Sequence, residues 1–398
     1  MKKLMMMLAC VLLTCSCRQT ANKQGAVTAE EGDTARVVLK YAQGFKVDER
    51  DGFRLLTVTD PQREDSTQTR EYRFALVPRG TKPQDVPADC RVIETPVRGL
   101  ICMTTLQLGG FIKLGALDHI VGIASAKRLF DKELKARLDD GRIQKIGKEG
   151  NFDEEMVIAS SPDAILISLS KRGGFDKLED SGIPLIPYMG YQESSPLAQA
   201  EWIKFVGLLT GKTSEANAMF GETEKAYDEA KALVADGRDE DRPTVIYGKM
   251  HGDNWYAMGG KSFIARIVSD AGGRYFMADD ERTGGVNLDF EVVYAQSEKV
   301  DYWVIQNKDK QKLTYNSLKT EDARYADFRA WKEKKLVCCE MSHTPVNELS
   351  AMEPDVLLKD FIRAFHPDVL PQYEPKYYLL MRADSSAPEG DDGLNTEE

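Results

Sequence analysis

One long amphipathic helix near the middle of the chain limits the possible folds more than any other feature. We expect it to begin near Thr213 and to run to about Ala235, a length of roughly 30–35 Å at the usual rise per residue. A helix of that length crosses the whole width of a domain. Its apolar residues recur at helical spacing on one face, at Ala216, Met219, Phe220, Thr223, Ala226, Tyr227, Ala230 and Leu233.

A second helix is predicted immediately before the long one. Ser195 suits the N-cap position, Pro196 the first helical position, and Gly211 the residue just past the C-terminal end. The centre of the chain is therefore helical, whereas the segments on either side alternate between short apolar runs and helical stretches.

The two segments that flank the long helix are similar to each other. In each, an apolar strand leads through a helical stretch to a further strand, which is typical of parallel βα units. Glu155 in the first and Glu291 in the second each stand six residues before a serine, Ser161 or Ser297, and an apolar strand follows. The pattern predicts an α/β, bilobed protein in which one long α-helix joins two Rossmann-like α/β lobes, with a cleft between them.

Changes in composition along the chain predict the boundaries of its parts. The first part of the N-terminal lobe is β-rich, with apolar runs at Val37–Leu39, Leu55–Val58 and Tyr72–Val77. The predicted parts are a signal peptide over 1–17, a flexible tether over 18–35, an N-terminal lobe over 36–212 with a β-rich extension over 36–79, a linker helix over 213–237, a C-terminal lobe over 238–382, and a disordered acidic tail over 383–398.

The N-terminus has the pattern of a secretory signal. Lys2 and Lys3 precede an apolar run over 4–13 that is too short to cross a bilayer, and small residues lead up to a cysteine. We expect Cys17 to be acylated as in a lipoprotein, with Cys15 as a rival acceptor and an ordinary cleaved signal as the alternative. The residues after Cys17 lack an acidic cluster, which favours the periplasmic side.

Composition and charge exclude several classes of partner. The hydrophobic fraction of 42% and the charged fraction of 29% are those of a globular protein, and the net charge of -11 argues against nucleic acid. Four cysteines remain beyond the signal and Cys17, and their number leaves any disulfide connectivity open. Cys102 lies in an apolar strand-like run, as do Cys338 and Cys339, so we expect core residues and no metal site there.

Short motifs in a consistent order make the chain similar to a known family. From about Val92 to Leu380 it resembles the substrate-binding proteins of ABC importers for iron–siderophores, haem and cobalamin, whose lobes are joined by a single helix. The β-rich extension departs from the minimal pattern of that family. The motifs are Leu114–Gly122 (LGALDHIVG), Pro162–Leu166 (PDAIL), Gly182–Ile186 (GIPLI), Gly260–Ile264 (GKSFI) and Phe365–Asp368 (FHPD).

A ligand is expected in the cleft, at the C-terminal ends of the strands, as in open α/β sheets generally. Lys171, Arg172 and Lys249 are candidates to neutralise an anionic chelate, and the alternative is that they are solvated loop cations. Trp255 and Tyr256 are candidates to stack on a flat apolar face of the ligand. The predicted ligand-binding residues are Met103, Thr104, Lys171, Arg172, Tyr188, Tyr191, Lys249, His251, Trp255 and Tyr256.

Two acids have a separate predicted role. Glu155 and Glu291 are each expected in the first turn of a helix, where a carboxylate gains from the helix dipole. That gain alone is one explanation for them. The family resemblance implies a second, in which one acid per lobe docks into arginines of the membrane permease.

Enzymatic and direct metal-binding functions lack their usual motifs. The Gly-Lys-Ser run that ends at Ser262 has Trp255 where a phosphate loop needs glycine, and Ser262 suits the cap of a helix over Phe263–Asp270. No Gly-x-Ser-x-Gly or His-Glu-x-x-His motif occurs. Of four histidines only His251 falls in a predicted cleft loop, where it or Tyr191 is a candidate axial ligand of haem iron.

The sequence therefore predicts a monomeric, lipid-anchored binding protein in the periplasm rather than an enzyme, without a resident cofactor. We expect it to capture an iron chelate, a ferric siderophore first and haem or cobalamin as alternatives, and to deliver it to an ABC permease. The alternative from another class is a structural or adhesive surface lipoprotein with no small ligand, which predicts a closed cleft.

Overall fold

Two β-sheets with parallel strands, one on each side of the long helix, carry the fold in the computed structural model. The structure describes residues 35–60, 70–124, 126, 128–148, 151–169, 178 and 180–383. The predicted signal peptide, the tether up to residue 34 and the acidic tail from residue 384 lie outside the described residues.

A four-stranded sheet forms the N-terminal extension. It contains β1 (Phe45–Arg50), β2 (Phe53–Asp60), β3 (Arg70–Pro78) and β4 (Arg91–Thr95). β1, β2 and β3 pair antiparallel, and β4 runs parallel to β3. Three of its strands lie within the predicted β-rich range 36–79, and β4 lies beyond it. The strand predicted at Val37–Leu39 is wrong, because that segment is irregular and the first strand begins at Phe45.

The sheet of the N-terminal lobe follows. It contains β5 (Leu100–Cys102), β6 (Ile120–Ile123), β7 (Gln144–Lys145), β10 (Ala164–Ile167) and β11 (Leu185–Pro187). A separate small hairpin, β8 (Gly147–Lys148) and β9 (Asn151–Phe152), lies between β7 and β10 along the chain. The strand order is β11-β10-β5-β6-β7, and every neighbouring pair is parallel. The central strands β5 and β10 are fully buried, as expected for a sheet covered on both faces, whereas the edge strand β7 is not.

The sheet of the C-terminal lobe repeats that order. It contains β12 (Thr244–Tyr247), β15 (Arg274–Tyr275), β17 (Tyr302–Asn307), β18 (Leu336–Glu340) and β19 (Leu379–Leu380), and a separate small sheet contains β13 (Lys249–His251), β14 (Asn254–Met258) and β16 (Gly285–Asp289). The order β18-β17-β12-β15 matches β11-β10-β5-β6 strand by strand. The similarity of the two halves, predicted from the sequence, is therefore a repeat of topology.

Helices cover the sheets and connect the strands. None of the helices within the described residues is both long enough and apolar enough to cross a membrane. Their bounds are α1 (Gly109–Lys113), α2 (Lys132–Asp139), α3 (Glu154–Ala159), α4 (Pro196–Glu201), α5 (Ile203–Thr210), α6 (Thr213–Ala232), α7 (Phe263–Asp270), α8 (Phe290–Tyr294), α9 (Tyr315–Glu321), α10 (Arg329–Lys332), α11 (Val346–Leu349) and α12 (Pro354–Phe365).

The predicted boundaries of the central helices are largely confirmed. Ser195 is the N-cap residue of α4 and Pro196 its first residue, although the helix is interrupted at Trp202 before α5 begins. Gly211 ends α5 in the left-handed conformation with φ 70°, which glycine adopts at little cost. Ser262 caps α7, because its side chain accepts a hydrogen bond from the amide of Ala265.

The linker helix α6 packs into both lobes. Its 20 residues begin at the predicted Thr213 and end at Ala232, slightly before the predicted point. Ala216 and Phe220 belong to the hydrophobic core of the N-terminal lobe, whereas Tyr227 and Ala230 belong to that of the C-terminal lobe. The apolar face predicted from the sequence is thus divided between two cores.

A buried carboxylate holds the irregular N-terminal segment against the helices. Glu201 is fully buried, and its carboxylate accepts hydrogen bonds from the backbone N–H groups of Lys40, Tyr41 and Ala42 at 2.9, 2.7 and 2.8 Å. The ammonium group of Lys204 lies 2.8 Å from the same carboxylate. These donors offset the cost of burying a charge, so the segment can be ordered without forming a strand.

Replacing Glu201 with alanine tests this contact. The change leaves three part-buried backbone donors without their acceptor and removes the carboxylate partner of the Lys204 ammonium group, which keeps its hydrogen bond to the carbonyl of Val38. We therefore expect the free energy of unfolding to fall by about 3 kcal/mol. Glu222→Ala on the exposed face of α6 is the control and should change it by less than about 0.5 kcal/mol. Urea denaturation measures both, and equal losses in the two variants would contradict the anchoring role.

Candidate functional site

A cavity of 410 Å³ lies at the C-terminal ends of two neighbouring strands of the C-terminal lobe. Ligands of open α/β folds bind at this edge of the sheet, so the cavity is the candidate site. The described residues that line it all belong to the C-terminal lobe, whereas the sequence predicts a ligand between the two lobes. Residues that line it include Tyr247 at the end of β12, Gln306 near the end of β17, and Lys249, His251, Tyr256 and Lys308.

The hairpin of β13 and β14 forms one wall of the cavity. Gly248 precedes the hairpin with φ 108°, and a Cβ atom there would lie 2.0 Å from the carbonyl oxygen of Tyr256. Only glycine fits this close approach. The hydroxyl of Tyr325 accepts a hydrogen bond from the amide of Met250 at 3.0 Å and fixes the hairpin to the body of the lobe.

Trp255 and Tyr256 lie on opposite faces of β14, because successive side chains of a strand alternate. Tyr256 is 41% exposed and lines the cavity, and its contact with a ligand stays a prediction. The prediction that Trp255 stacks on the ligand is wrong in this structure, since its side chain is fully buried. Its indole packs against Trp303 and Phe328 and donates a hydrogen bond to a backbone carbonyl, so it is a core residue.

The charges on the cavity wall are largely balanced. The ammonium group of Lys249 lies 2.9 Å from the carboxylate of Glu321, so the charge expected to neutralise an anionic chelate already has a partner. Lys308 and Asp309 are adjacent and bring opposite charges to the wall. The guanidinium group of Arg128, from the N-terminal lobe, donates to the carbonyl of Lys308 at 3.0 Å.

The predicted residues of the N-terminal lobe divide into buried and accessible ones. Met103 and Tyr188 are 0% and 3% exposed and belong to hydrophobic cores, so their predicted ligand contact is wrong in this structure. Burial also raises the pKa of the Tyr188 hydroxyl. Thr104 and Tyr191 are half-buried, and neither lines the 410 Å³ cavity.

Three predicted residues fall in segments without described positions. Lys171 and Arg172, the cations expected in the N-terminal lobe, lie outside the described residues. The same holds for Cys17, the expected acylation site. Their roles stay predictions.

Several residues of the cavity wall were missing from the predicted site. Gln306 and Asp309 flank the end of β17, and Tyr247 ends β12. The signal for them was present, because each stands where an apolar strand gives way to polar residues. Glu321, the partner of Lys249, is separated from it along the chain and carried no such signal.

The histidines do not converge on one point. His251 is exposed near the tip of the hairpin, on the cavity wall. The Nδ1 atom of His119 lies 2.6 Å from the carbonyl oxygen of Val97, and His343 contacts another backbone carbonyl elsewhere. Within the described ranges, no three histidine, cysteine or acidic side chains form a group that could hold a metal ion.

The described cysteines are free thiols. Cys102 on β5 and both Cys338 and Cys339 on β18 are buried, as predicted for core residues. Burial raises the pKa of the Cys339 thiol to about 12. Such thiols stay protonated and unreactive near neutral pH.

The two predicted docking acids occupy equivalent places in the two lobes. Asp153 and Asp289 are the N-cap residues of α3 and α8, so Glu155 and Glu291 lie in the first turns, as expected. Both glutamates are exposed. The carboxylate of Glu291 lies 3.2 Å from the guanidinium group of Arg324.

Comparison with known proteins identifies the family of this fold. The periplasmic binding protein family matches residues 100–341. The chain belongs to this family. An uncharacterized lipoprotein of Methanocaldococcus jannaschii is 22% identical over 326 residues, which are 78% of this chain and 80% of that protein.

Solved structures of periplasmic binding proteins share the fold at low sequence identity. A periplasmic binding protein from Veillonella parvula matches with a TM-score of 0.57 and 14% identity, over 78% of this chain and 98% of its own. A protein of an ABC-type Fe3+-hydroxamate transport system from Saccharomonospora viridis matches with a TM-score of 0.52 and 19% identity, over 68% and 94%. A periplasmic haem-binding protein from Pseudomonas aeruginosa matches with a TM-score of 0.52 and 16% identity, over 68% and 94%.

The buried position of Trp255 gives a testable prediction. Trp255→Phe leaves a gap in the aromatic core and removes one hydrogen bond, so we expect the free energy of unfolding to fall by about 2 kcal/mol. Tyr256→Phe on the opposite face should change it by less than about 0.5 kcal/mol. Denaturant titration compares the two, and a neutral Trp255→Phe would contradict the core assignment.

Proposed function

We propose that this periplasmic binding protein serves an ABC importer and captures an iron chelate in the 410 Å³ cavity. The proposal rests on the composition of the cavity wall. The exposed ring of Tyr256 and the polar groups of Gln306 and Lys308 line the same cavity. A few polar groups beside an apolar surface suit a chelate, whose organic backbone is apolar and whose metal-binding groups are polar.

Among chelates, we place a ferric siderophore first, haem second and cobalamin third. The shared fold with a protein of an Fe3+-hydroxamate transport system and with a haem-binding protein supports the first two. His251 borders the cavity as a candidate axial ligand of haem iron. Cobalamin ranks last because Trp255, the aromatic residue that favoured it, is buried.

We further propose that the protein is monomeric and is held at the periplasmic face of a membrane by acylation of Cys17. The similarity to an uncharacterized archaeal lipoprotein supports the anchor. The function consists of binding and delivery without a chemical step. Because α6 is continuous and packs into both cores, closure of the lobes on a ligand should be small.

Calorimetric titration of residues 18–398 tests the ligand. A ferric tris-hydroxamate, a ferric tris-catecholate, haem and cobalamin are compared, and we expect one of them to bind with a dissociation constant of about 1 μM or lower. Tyr256→Ala should weaken that binding about tenfold by removing the ring contact, and Leu233→Ala, at an exposed position on the linker, should leave it unchanged. Binding of none of the four, or full affinity in Tyr256→Ala, would count against the proposal.

Glu155 and Glu291 are proposed to dock into cationic side chains of the permease, one acid from each lobe. Their support is their exposure at equivalent positions of the two lobes. Replacing both acids with arginine puts like charges against the permease, whereas the cavity stays intact. We expect uptake of radioactive iron chelate into cells to be lost and the affinity of the purified protein to be kept.

Glu222→Arg on the linker helix is the matched control for that charge reversal, since Glu222 is equally an exposed glutamate on a helix. It should leave uptake at the rate of the unaltered protein. Normal uptake in the double variant would contradict the docking role of Glu155 and Glu291.

A further inference from the structure

One short segment packs against the hydrophobic cores of both lobes. Val346 at the start of α11 belongs to the core of the C-terminal lobe, and Met352 belongs to that of the N-terminal lobe. α11 also contacts the turn Thr105–Gln107, which follows β5. A Cβ atom on Gly109 would lie 2.4 Å from the carbonyl oxygen of Glu348, so the lobes approach closely here.

Glu348 makes a polar contact from this segment to the N-terminal lobe. Its side chain is buried, and its two carboxylate oxygens accept hydrogen bonds from the backbone N–H groups of Phe130 and Asp131 at 2.6 and 3.1 Å. Asp131 is the N-cap residue of α2 and accepts from the amide of Leu134. The carboxylate therefore lies at the positive end of a helix that belongs to the other lobe.

The same loop of the N-terminal lobe also reaches the cavity. The backbone of Arg128 has φ 62°, a left-handed conformation that is unfavourable for residues other than glycine. The guanidinium group of Arg128 donates a hydrogen bond to the carbonyl oxygen of Lys308 on the cavity wall. Residues 128–131 thus contact the C-terminal lobe at two points, one beside the cavity and one at α11. Separating the lobes at this side requires both contacts to break.

We propose that Glu348 is an interlobe latch, which holds the loop 128–131 against the C-terminal lobe and so limits opening of the cleft. Chelate exchange through the latched cleft rests on the proposed function, whereas the latch itself does not. A buried carboxylate with two amide donors is well suited to this role, because neither oxygen can leave its donors without gaining water or another partner. The latch would set how often the unliganded cleft opens.

Hydrogen exchange of the unliganded protein tests the latch. Glu348→Gln keeps the shape of the side chain and removes its charge. We therefore expect the hydrogen-bonded amides within 130–134, those of Phe130, Asp131 and Leu134, to exchange about 10- to 100-fold faster, because hydrogen bonds to a charged group are lost. Arg128→Ala, at an exposed position, should give a smaller increase in the exchange rate of the same amides. This second variant still tests the latch if Glu348→Gln does not fold.

Asp360→Asn is the matched control. Asp360 is also a buried carboxylate that accepts from backbone amides, those of Lys376, Tyr377 and Tyr378, but all its partners lie within the C-terminal lobe. It should accelerate exchange around residues 376–378 and leave 130–134 protected. Unchanged exchange at 130–134 in Glu348→Gln, or the same acceleration in Asp360→Asn, would overturn the latch.

Chelate release separates the latch from the proposed function. If a chelate binds, stopped-flow release from Glu348→Gln should be faster than from the unaltered protein, and an unchanged rate would overturn the link between latch and exchange. If none of the four probes binds, the proposed function fails, while the exchange result still decides whether Glu348 joins the lobes.

Discussion

The division of one helix between two hydrophobic cores is the constraint on which the rest of the structure depends. Ala216 and Phe220 are buried in one lobe and Tyr227 in the other, so bending α6 would disturb packing on both sides. The hydroxyl of Tyr227 also donates to the carboxylate of Asp270 at 2.7 Å, which ties the second half of the helix to α7. The separation of the two lobes is therefore set by one continuous helix that is packed into both.

Three buried carboxylates fix irregular segments of the chain to the two lobes. Glu201, Glu348 and Asp360 are each at most 2% exposed, and each accepts hydrogen bonds from backbone amides of a segment distant along the chain. Burial raises the pKa of the Glu348 and Asp360 carboxyl groups, which reflects the cost of desolvating them. Because an unpaired buried charge is so unfavourable, each acid specifies one position for its segment. The N-terminal segment, the loop before α2 and the C-terminal segment are fixed in this way.

The sequence was informative where structure follows from local pattern and less so where it follows from tertiary pairing. The repeated halves, the linker helix and the left-handed Gly211 were predictable from periodicity and from glycine's conformational freedom. The expectation that Trp255 and Tyr256 both face the ligand is wrong, because a strand places neighbouring side chains on opposite faces and Trp255 is buried. The pairing of Lys249 with a distant glutamate could not be predicted, because nothing in the local sequence indicates which loops meet.

A crystal structure with the bound chelate tests whether an iron chelate binds at the strand ends of the C-terminal lobe. Data collected at the iron absorption edge locate the metal independently of the protein phases. We expect one anomalous peak within the 410 Å³ cavity, beside Tyr256 and Lys308. An iron peak elsewhere on the protein, with this cavity empty, would contradict it.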